Sequence, residues 1–317
     1  MSELEKIKIL VIVGPTASGK SDLAVHLAKQ LDGEVISADS RQVYKGLDVG
    51  TGKITAVEMQ GVRHHLLDVA SPLRKFTVER YKKLAAKAIA DIAKRGKLPI
   101  ICGGTGFYID ALVDGIVFPD VPPNPKLRAE LAKIGKKDPA ALFAQLKELD
   151  PERAEAIDQH NLRRVIRAIE IATALGKVPK ISSMENTENS SPYDPIFIGV
   201  NPDTETLRAK IQTRLIERID KQGMVDEARA LYDGGLSWKR MEELGLEYRY
   251  LALFLQQKIT REKMIDRLGF EIWHYAKRQL AWFKRNKHIQ WFESGTDAAI
   301  LKKVRGFLEK IGGKKTT

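Results

Sequence analysis

The sequence predicts an α/β protein. A parallel sheet flanked by helices is interrupted by an all-helical insertion and followed by a helical C-terminal region. Three observations carry this. The apolar, β-branched run Ile9-Leu10-Val11-Ile12-Val13 leads through Gly14-Pro15-Thr16-Ala17-Ser18-Gly19-Lys20-Ser21 into a helix-periodic segment. Strand and helix patterns alternate through the first 115 residues, as in sheets with helices on both faces. Strand signals then stop near Pro119 and return only at Ile196–Val200.

The first turn sets the type of sheet. Residues 14–21 read G-x-x-x-x-G-K-S, a P-loop, so the fold class is P-loop NTPase-like. Gly14 and Gly19 let successive N–H groups face inward, Lys20 adds a point charge, and Ser21 offers a hydroxyl for Mg²⁺. Gly14, Pro15, Thr16, Ala17, Ser18, Gly19, Lys20 and Ser21 therefore form the expected diphosphate or nucleotide cradle, at a helix N-terminus. Leu23, Leu27 and Leu31 supply the apolar face of that helix.

The elements follow in order. Val35-Ile36 reads as a short buried strand, with Asp39 at the tip of what is expected to be the strand next to that of the P-loop. Ligands bind at such tips in open parallel sheets. Gly46, Gly50 and Gly52 make 45–53 a loop. Residues 62–69 are expected to hold a short strand, and the spacing of His64, His65 and Asp68 does not favour a metal site. Val78, Tyr81, Ala85, Ala88 and Ile92 mark one face of a helix stopped at Lys94-Arg95-Gly96. Leu98–Cys102 is a buried strand followed by Gly103-Gly104-Thr105-Gly106-Phe107-Tyr108. Cys102 is the single cysteine, which excludes an internal disulfide and reads as a small buried residue.

Four prolines in Pro119–Pro125 mark a boundary. Asp138-Pro139 and Asp150-Pro151 look like N-caps with proline at the first helical position, and Asn161 caps a helix from Leu162 to Leu175 that Gly176 ends. Lys177–Pro195 reads as a polar link. The expected organisation is a core of residues 1–118 plus 196–317, with 119–195 as a helical insertion domain. Helices are expected over 207–222, 224–232, 239–257, 261–287 and 297–311, a last strand over 290–292, and a frayed Gly312–Thr317 tail.

Composition bounds the function. The 317 residues are 43% hydrophobic and 30% charged, a globular balance, and no apolar run approaches a membrane span. The N-terminus lacks a signal-peptide pattern, so a cytoplasmic location is expected, with a monomer as the default state. The net charge is +12 and points to a polyanionic partner such as nucleic acid. That charge clusters. Residues 160–180 hold five basic residues against one acidic, with Arg163, Arg164 and Arg167 along one helix edge. Residues 261–287 hold eight against three, interleaved with Trp273, Tyr275, Trp282 and Phe283.

A phosphoryl-transferring P-loop protein needs a strand ending in an Mg²⁺-holding carboxylate. Asp39 is the one candidate, since the Leu98–Cys102 strand ends in glycine. The cradle is thus expected to hold a diphosphate that departs. The blocks GPTASGKS (14–21), ISADSRQVY (36–44), DVGTGK (48–53), GGTGFY (103–108) and AKRQ (276–279), in this order over nearly the whole chain, resemble the tRNA dimethylallyltransferase (IPP transferase) family.

The resemblance implies transfer of a dimethylallyl group from dimethylallyl diphosphate to N6 of adenine 37 in the tRNA anticodon stem-loop, with Mg²⁺ as cofactor and the base taken out of its stack. It implies Asp39 as general base, Ser21 as the Mg²⁺-binding hydroxyl, and Arg214 on the pyrophosphate, with Arg218 as the alternative. It also implies tRNA contacts from Asp39, Ser40, Arg41, Gln42, Thr105, Arg128, Arg163, Arg164, Val165, Ile166 and Arg167. The segment Leu244-Gly245-Leu246-Glu247-Tyr248-Arg249 departs from the isoleucine-glycine-tyrosine block of many bacterial members. Two other enzyme readings share the cradle: an adenylate isopentenyltransferase acting on free nucleotide, and a P-loop small-molecule kinase. A third is a non-catalytic RNA-binding protein.

Overall fold

A computed structural model describes residues 6–179 and 191–309. The middle of the 177–195 link, the N-terminal residues and the Gly312–Thr317 tail lie outside the described residues. The chain divides into two compact units, Met1–Gly115 with Glu188–Thr317, and Ile116–Thr187.

The first unit opens with β1 (Ile7–Val13), α1 (Lys20–Gln30), β2 (Gly33–Ser37), the single turn α2 (Ala56–Met59), β3 (His64–His65), α3 (Val78–Lys94), β4 (Leu98–Gly103) and α4 (Gly106–Val113). The second unit holds α5 (Pro125–Lys137), α6 (Pro139–Leu149), α7 (Pro151–Glu155) and α8 (Leu162–Leu175). The first unit then resumes with β5 (Tyr193–Val200), α9 (Thr204–Asp220), α10 (Met224–Asp233), α11 (Trp238–Leu244), α12 (Leu246–Leu255), α13 (Arg261–Phe283), β6 (Gln290–Phe292) and α14 (Asp297–Glu309).

The sheet order is β3-β2-β4-β1-β5-β6, with every pairing parallel. Parallel strands buried on both faces read as continuous apolar runs, which is why β1 shows no alternation. Ile9, Val11 and Val13 pack with Tyr81, Ile89 and Ile92 of α3 on one face. Leu10 and Ile12 pack with Leu23 and Leu27 of α1 and Val304 of α14 on the other. A further core joins α9 to α13 around Leu215, Met224, Tyr248 and Leu268.

The order corrects one expectation. β2 is not the neighbour of β1, because β4 is inserted between them and pairs with both. Asp39 and the P-loop therefore sit at tips separated by the β4 tip. Two element boundaries also differ. The helix expected over 239–257 breaks at Gly245, whose φ of 78° and ψ of −173° no helix accommodates. β5 begins at Tyr193 and contains Pro195; β6 pairs only from Ile198, so the missing N–H falls where β5 is an edge.

In the helical unit, four helices start at side-chain caps, Asn124, Asp138, Asp150 and Asn161, three of them with proline in the first turn. Leu131, Leu142, Leu146, Val165 and Ile169 form its core.

Candidate active site

The P-loop joins β1 to α1. Gly19 sits in the left-handed region at φ +88° and no side chain caps the first turn of α1. The orphan N–H groups of that turn are thus left to face an anion. Lys20 folds back so that Nζ donates to Pro15 O at 3.2 Å. Burial lowers its pKa, and the positive charge of Arg214 adds to that effect against the opposing pull of Cys102 and Asp39. A half-buried ammonium in the field of a guanidinium is a pair of like charges that an anion would offset. Ser21 stands exposed at the lip of the cradle. The Ser18 hydroxyl is buried with no hydrogen-bond partner among the described residues.

Beyond β2 the chain makes an Asx turn. Asp39 Oδ1 accepts the N–H groups of Arg41 at 2.8 Å and Gln42 at 3.3 Å, so the main chain fixes the carboxylate. Thr105, at the β4 tip, accepts the Ser40 N–H through Oγ1 at 3.0 Å. The β4 tip thus ties down the turn that carries Asp39.

The glycines of the Gly103–Tyr108 block have a different role from Gly19 of the P-loop and share that of Gly14, where a methyl group would sit 2.5 Å from Val200 O. A methyl group on Gly103 would collide with the Ala38 main chain, one on Gly104 with the Gln279 side-chain amide, and one on Gly106 with the Trp282 indole. Gln279, buried on α13, donates to Gly104 O at 2.9 Å and accepts the Thr16 N–H at 2.8 Å. One side chain thus links the P-loop to the β4 tip. Gln279 belongs to the AKRQ block; that block was its only sequence signal, and the sequence assigned it no role. Trp282 donates to Asp110 at 2.9 Å and carries Arg285 3.9 Å above its ring.

These parts surround two cavities. One, of about 380 Å³, is walled by Lys20, Ser21, Asp39, Arg41, Arg214 and Tyr275, among others. The other, of about 640 Å³, shares Lys20, Ser21, Gly52, Arg214 and Arg218 with the first and adds Lys53 and Lys210. The two arginines on α9 differ. Arg218 donates to Gly50 O at 3.0 Å and Val49 O at 3.4 Å and lies 3.7 Å from Glu247. The Arg214 side chain has no hydrogen bond or ion pair among the described residues and faces both cavities. Glu247 also lines the first cavity; burial raises its pKa against the pull of Arg218.

Cys102 is buried as expected; burial pushes its thiol up to about 11. His64 and His65 belong to β3, and His65 bonds Glu34 at 2.7 Å. No cluster of three metal-ligating side chains occurs among the described residues.

The helical unit sorts its basic residues into two kinds. Arg163 and Arg164 are exposed. Arg128 donates to Glu170 at 2.8 and 2.6 Å, and Arg167 bonds both Glu170 and Val121 O. Burial alone would raise the Glu170 pKa, but hydrogen bonds from Arg128, the Asn124 N–H and Arg167 outweigh it and hold the carboxyl at about 2. The Val165 side chain is fully buried in the core of the unit, so it presents nothing to a partner. Ile166 is half-buried. The sequence grouped all these residues because it could not show that Glu170 faces inward between two arginines.

A P-loop on a parallel sheet, a fixed carboxylate over the same cavity, and glycine at the β4 tip define a P-loop group-transfer enzyme. The chain belongs to the IPP transferase family, whose model matches residues 42–286. It is 40% identical to the tRNA dimethylallyltransferase of Anoxybacillus flavithermus over 308 residues, covering 97% of each chain. It resembles the crystal structure of the full-length tRNA isopentenylpyrophosphate transferase from Bacillus halodurans with a TM-score of 0.71 and 38% identity, covering 96% of this chain and 98% of that one. A eukaryotic dimethylallyltransferase acting on tRNA superposes with a TM-score of 0.82 at 26% identity, covering 96% of this chain and 80% of that one. No helix among the described residues is long and apolar enough to cross a membrane.

Proposed function

We propose that this enzyme transfers the dimethylallyl group of dimethylallyl diphosphate to N6 of adenine 37, beside the anticodon of tRNA, and releases diphosphate. One observation carries the reading: Lys20, Arg214 and the Asp39 carboxylate share the wall of one cavity. That cavity has cations at one side for a leaving group and a carboxylate for an amine.

The substitution divides between these parts. The N6 lone pair forms a bond to C1 of the dimethylallyl group as the C1–O bond breaks. The N6 proton passes to Asp39, whose Oδ1 already holds two main-chain N–H groups, which leaves Oδ2 as the acceptor. The electron pair of the broken bond goes to diphosphate. Lys20, Arg214 and the N–H groups at the start of α1 stabilise that charge. Arg214 takes this role because Arg218 is committed to the carbonyls of the 48–53 loop.

Mg²⁺ fits this donor set. No cluster of three metal-ligating side chains occurs among the described residues, so the Ser21 hydroxyl at the lip of the cradle would hold the ion, together with the substrate itself. The ion would supply charge neutralisation on the leaving diphosphate.

On the tRNA side, Ser40, Arg41, Gln42 and Thr105 frame the extruded adenine. Arg163 and Arg164 contact phosphates. Arg128 and Arg167 shape that surface through Glu170. The inserted unit favours tRNA over free nucleotide, since a mononucleotide needs no second unit. We take the enzyme to act as a cytoplasmic monomer.

The test supplies labelled dimethylallyl diphosphate with unmodified tRNA, AMP or neither. Label is expected on a tRNA adenosine alone; label on AMP and not on tRNA would sink the reading. Asp39→Ala is expected to lower turnover about 10²–10⁴-fold while tRNA binding persists.

A further inference from the structure

The loop over residues 48–53 is part of both cavity walls, through Thr51 and Gly52 in one and Asp48, Val49, Gly52 and Lys53 in the other. It is gripped from outside by a residue that lines neither. The Glu227 carboxylate, on α10, accepts the N–H groups of Asp48 at 2.9 Å, Val49 at 2.7 Å and Gly50 at 2.9 Å, and the Tyr248 hydroxyl at 2.7 Å. Three successive amides converging on one carboxylate form the concave main-chain geometry that holds anions. The carbonyls of the same turn face Arg218, which donates to Val49 O and Gly50 O. Gly50 leaves no room for a side chain, since a methyl group would sit 2.6 Å from the Tyr248 hydroxyl.

Two residues further on, Gly52 meets both halves of the site. Its carbonyl accepts Gln42 Nε2 at 3.4 Å, and a methyl group on it would lie 3.3 Å from Arg214 Nη2. The bare backbone at Gly52 therefore leaves Arg214 the room it occupies, and its carbonyl anchors Gln42.

We propose that Glu227, backed by Arg218 and Tyr248, is a positioning residue for the transfer: it fixes the 48–53 loop so that Gly52 leaves Arg214 its place on the diphosphate side and anchors Gln42 on the acceptor side. The proposal rests on the reading of the cavity given above. Charge is central to it. Glu227 Oε2 serves two amides and Oε1 serves an amide and a hydroxyl, so glutamine must turn its NH₂ toward donors on one side. Packing is unchanged, but half of the grip becomes repulsive.

The experiment compares the full-length enzyme with its Glu227→Gln variant in three readouts: calorimetric binding of inorganic pyrophosphate with Mg²⁺, steady-state kinetics with dimethylallyl diphosphate and tRNA, and thermal melting. Glu227→Gln is expected to weaken pyrophosphate binding and raise the donor KM by about tenfold, with kcat down by a similar factor and tRNA affinity within about twofold. A folded Glu227→Gln protein with pyrophosphate affinity and kcat unchanged overturns the proposal. So does a loss of affinity that disappears once assays are run well below the variant's own melting temperature. If Glu227→Gln does not fold, Tyr248→Phe decides. It removes one of the four bonds and keeps the ring, so it is expected to fold, to melt only a few degrees lower, and to weaken pyrophosphate binding about two- to threefold well below that temperature. Unchanged affinity there overturns the proposal. Failure of the unsubstituted enzyme to bind pyrophosphate is a separate result, which overturns the donor reading and the positioning role with it.

Discussion

Two glycine-rich loops stand at neighbouring strand tips, after β1 and after β4; Gly14 of the first, where a methyl group would sit 2.5 Å from Val200 O, serves contact like the glycines of the second, but Gly19 does not. Gly19 of the P-loop has nothing within 4 Å of where a side chain would sit, but it holds φ at +88°. Its glycine serves torsion. Gly103, Gly104 and Gly106 hold no positive φ, and each has a neighbour in the space of its missing side chain. Their glycines serve contact, with the β2 tip and with two side chains of α13. In sequence the loops look like two phosphate cradles. In the folded enzyme one leaves the first N–H groups of α1 uncapped by any side chain, and the other is a joint that ties down the Asp39 turn and seats a helix.

The comparison can be broken most directly at Gly103. An alanine there would overlap the Ala38 main chain, whose carbonyl already accepts the Thr105 N–H at 3.0 Å, so the β2 and β4 tips must part. We expect Gly103→Ala to cost about 3 kcal/mol or more, read by urea unfolding, and to abolish transfer because Asp39 lies one residue past Ala38. A variant of near-normal stability would show that the joint is looser than described.

A smaller effect is expected at Gly104, where the obstacle is a side chain. Gly104→Ala must displace the Gln279 amide and forfeit its bonds to Thr16 and Gly104, at about 1–3 kcal/mol. Gln279→Ala forfeits the same bonds. The double variant is therefore expected to be no less stable than Gln279→Ala alone, a strong departure from additivity. Additive losses in the unfolding cycle would assign Gly104 some role other than space.

The smallest effect belongs to Gly19→Ala. It meets no atom, so only the torsional cost of about 1 kcal/mol applies, and truncating neighbouring side chains should recover none of it. Gly19→Asn is expected to cost less than Gly19→Ala, because asparagine tolerates the left-handed region better. Equal costs in the two melts would remove torsion as the explanation.

Much of this was legible in the chain because it is local. The P-loop, the Asn161–Gly176 bounds of α8, the caps before Pro139 and Pro151, and the apolar runs of β1 and β4 all follow from residues within a few positions of one another. What the sequence did not carry is long-range. Nothing near β2 shows that β4 will separate it from β1. Gln279 meets Thr16 from 263 positions away. The α8 arginines look equivalent along one helix edge until Glu170 is known to be buried between Arg167 and Arg128 from α5. Arg214 and Arg218 lie one helical turn apart, and the carbonyls of Val49 and Gly50, with Glu247, distinguish them. The break at Gly245 had a local signal, a glycine inside a helical pattern, outweighed by the apolar periodicity on either side.

The central place of β1 has a consequence for timing. β1 pairs with β4 on one side and β5 on the other, and β5 begins only at Tyr193. A chain made from its N-terminus can close the β4 side once residue 103 is available, but the other flank of β1 must wait for the helical unit to be synthesised. Through that interval the most apolar strand of the protein is an open edge, the kind of surface on which strands mispair. The helical unit has its own core and its own caps, so it need not borrow that edge to fold. Its self-sufficiency thus also protects the nascent sheet while β1 waits for its last partner.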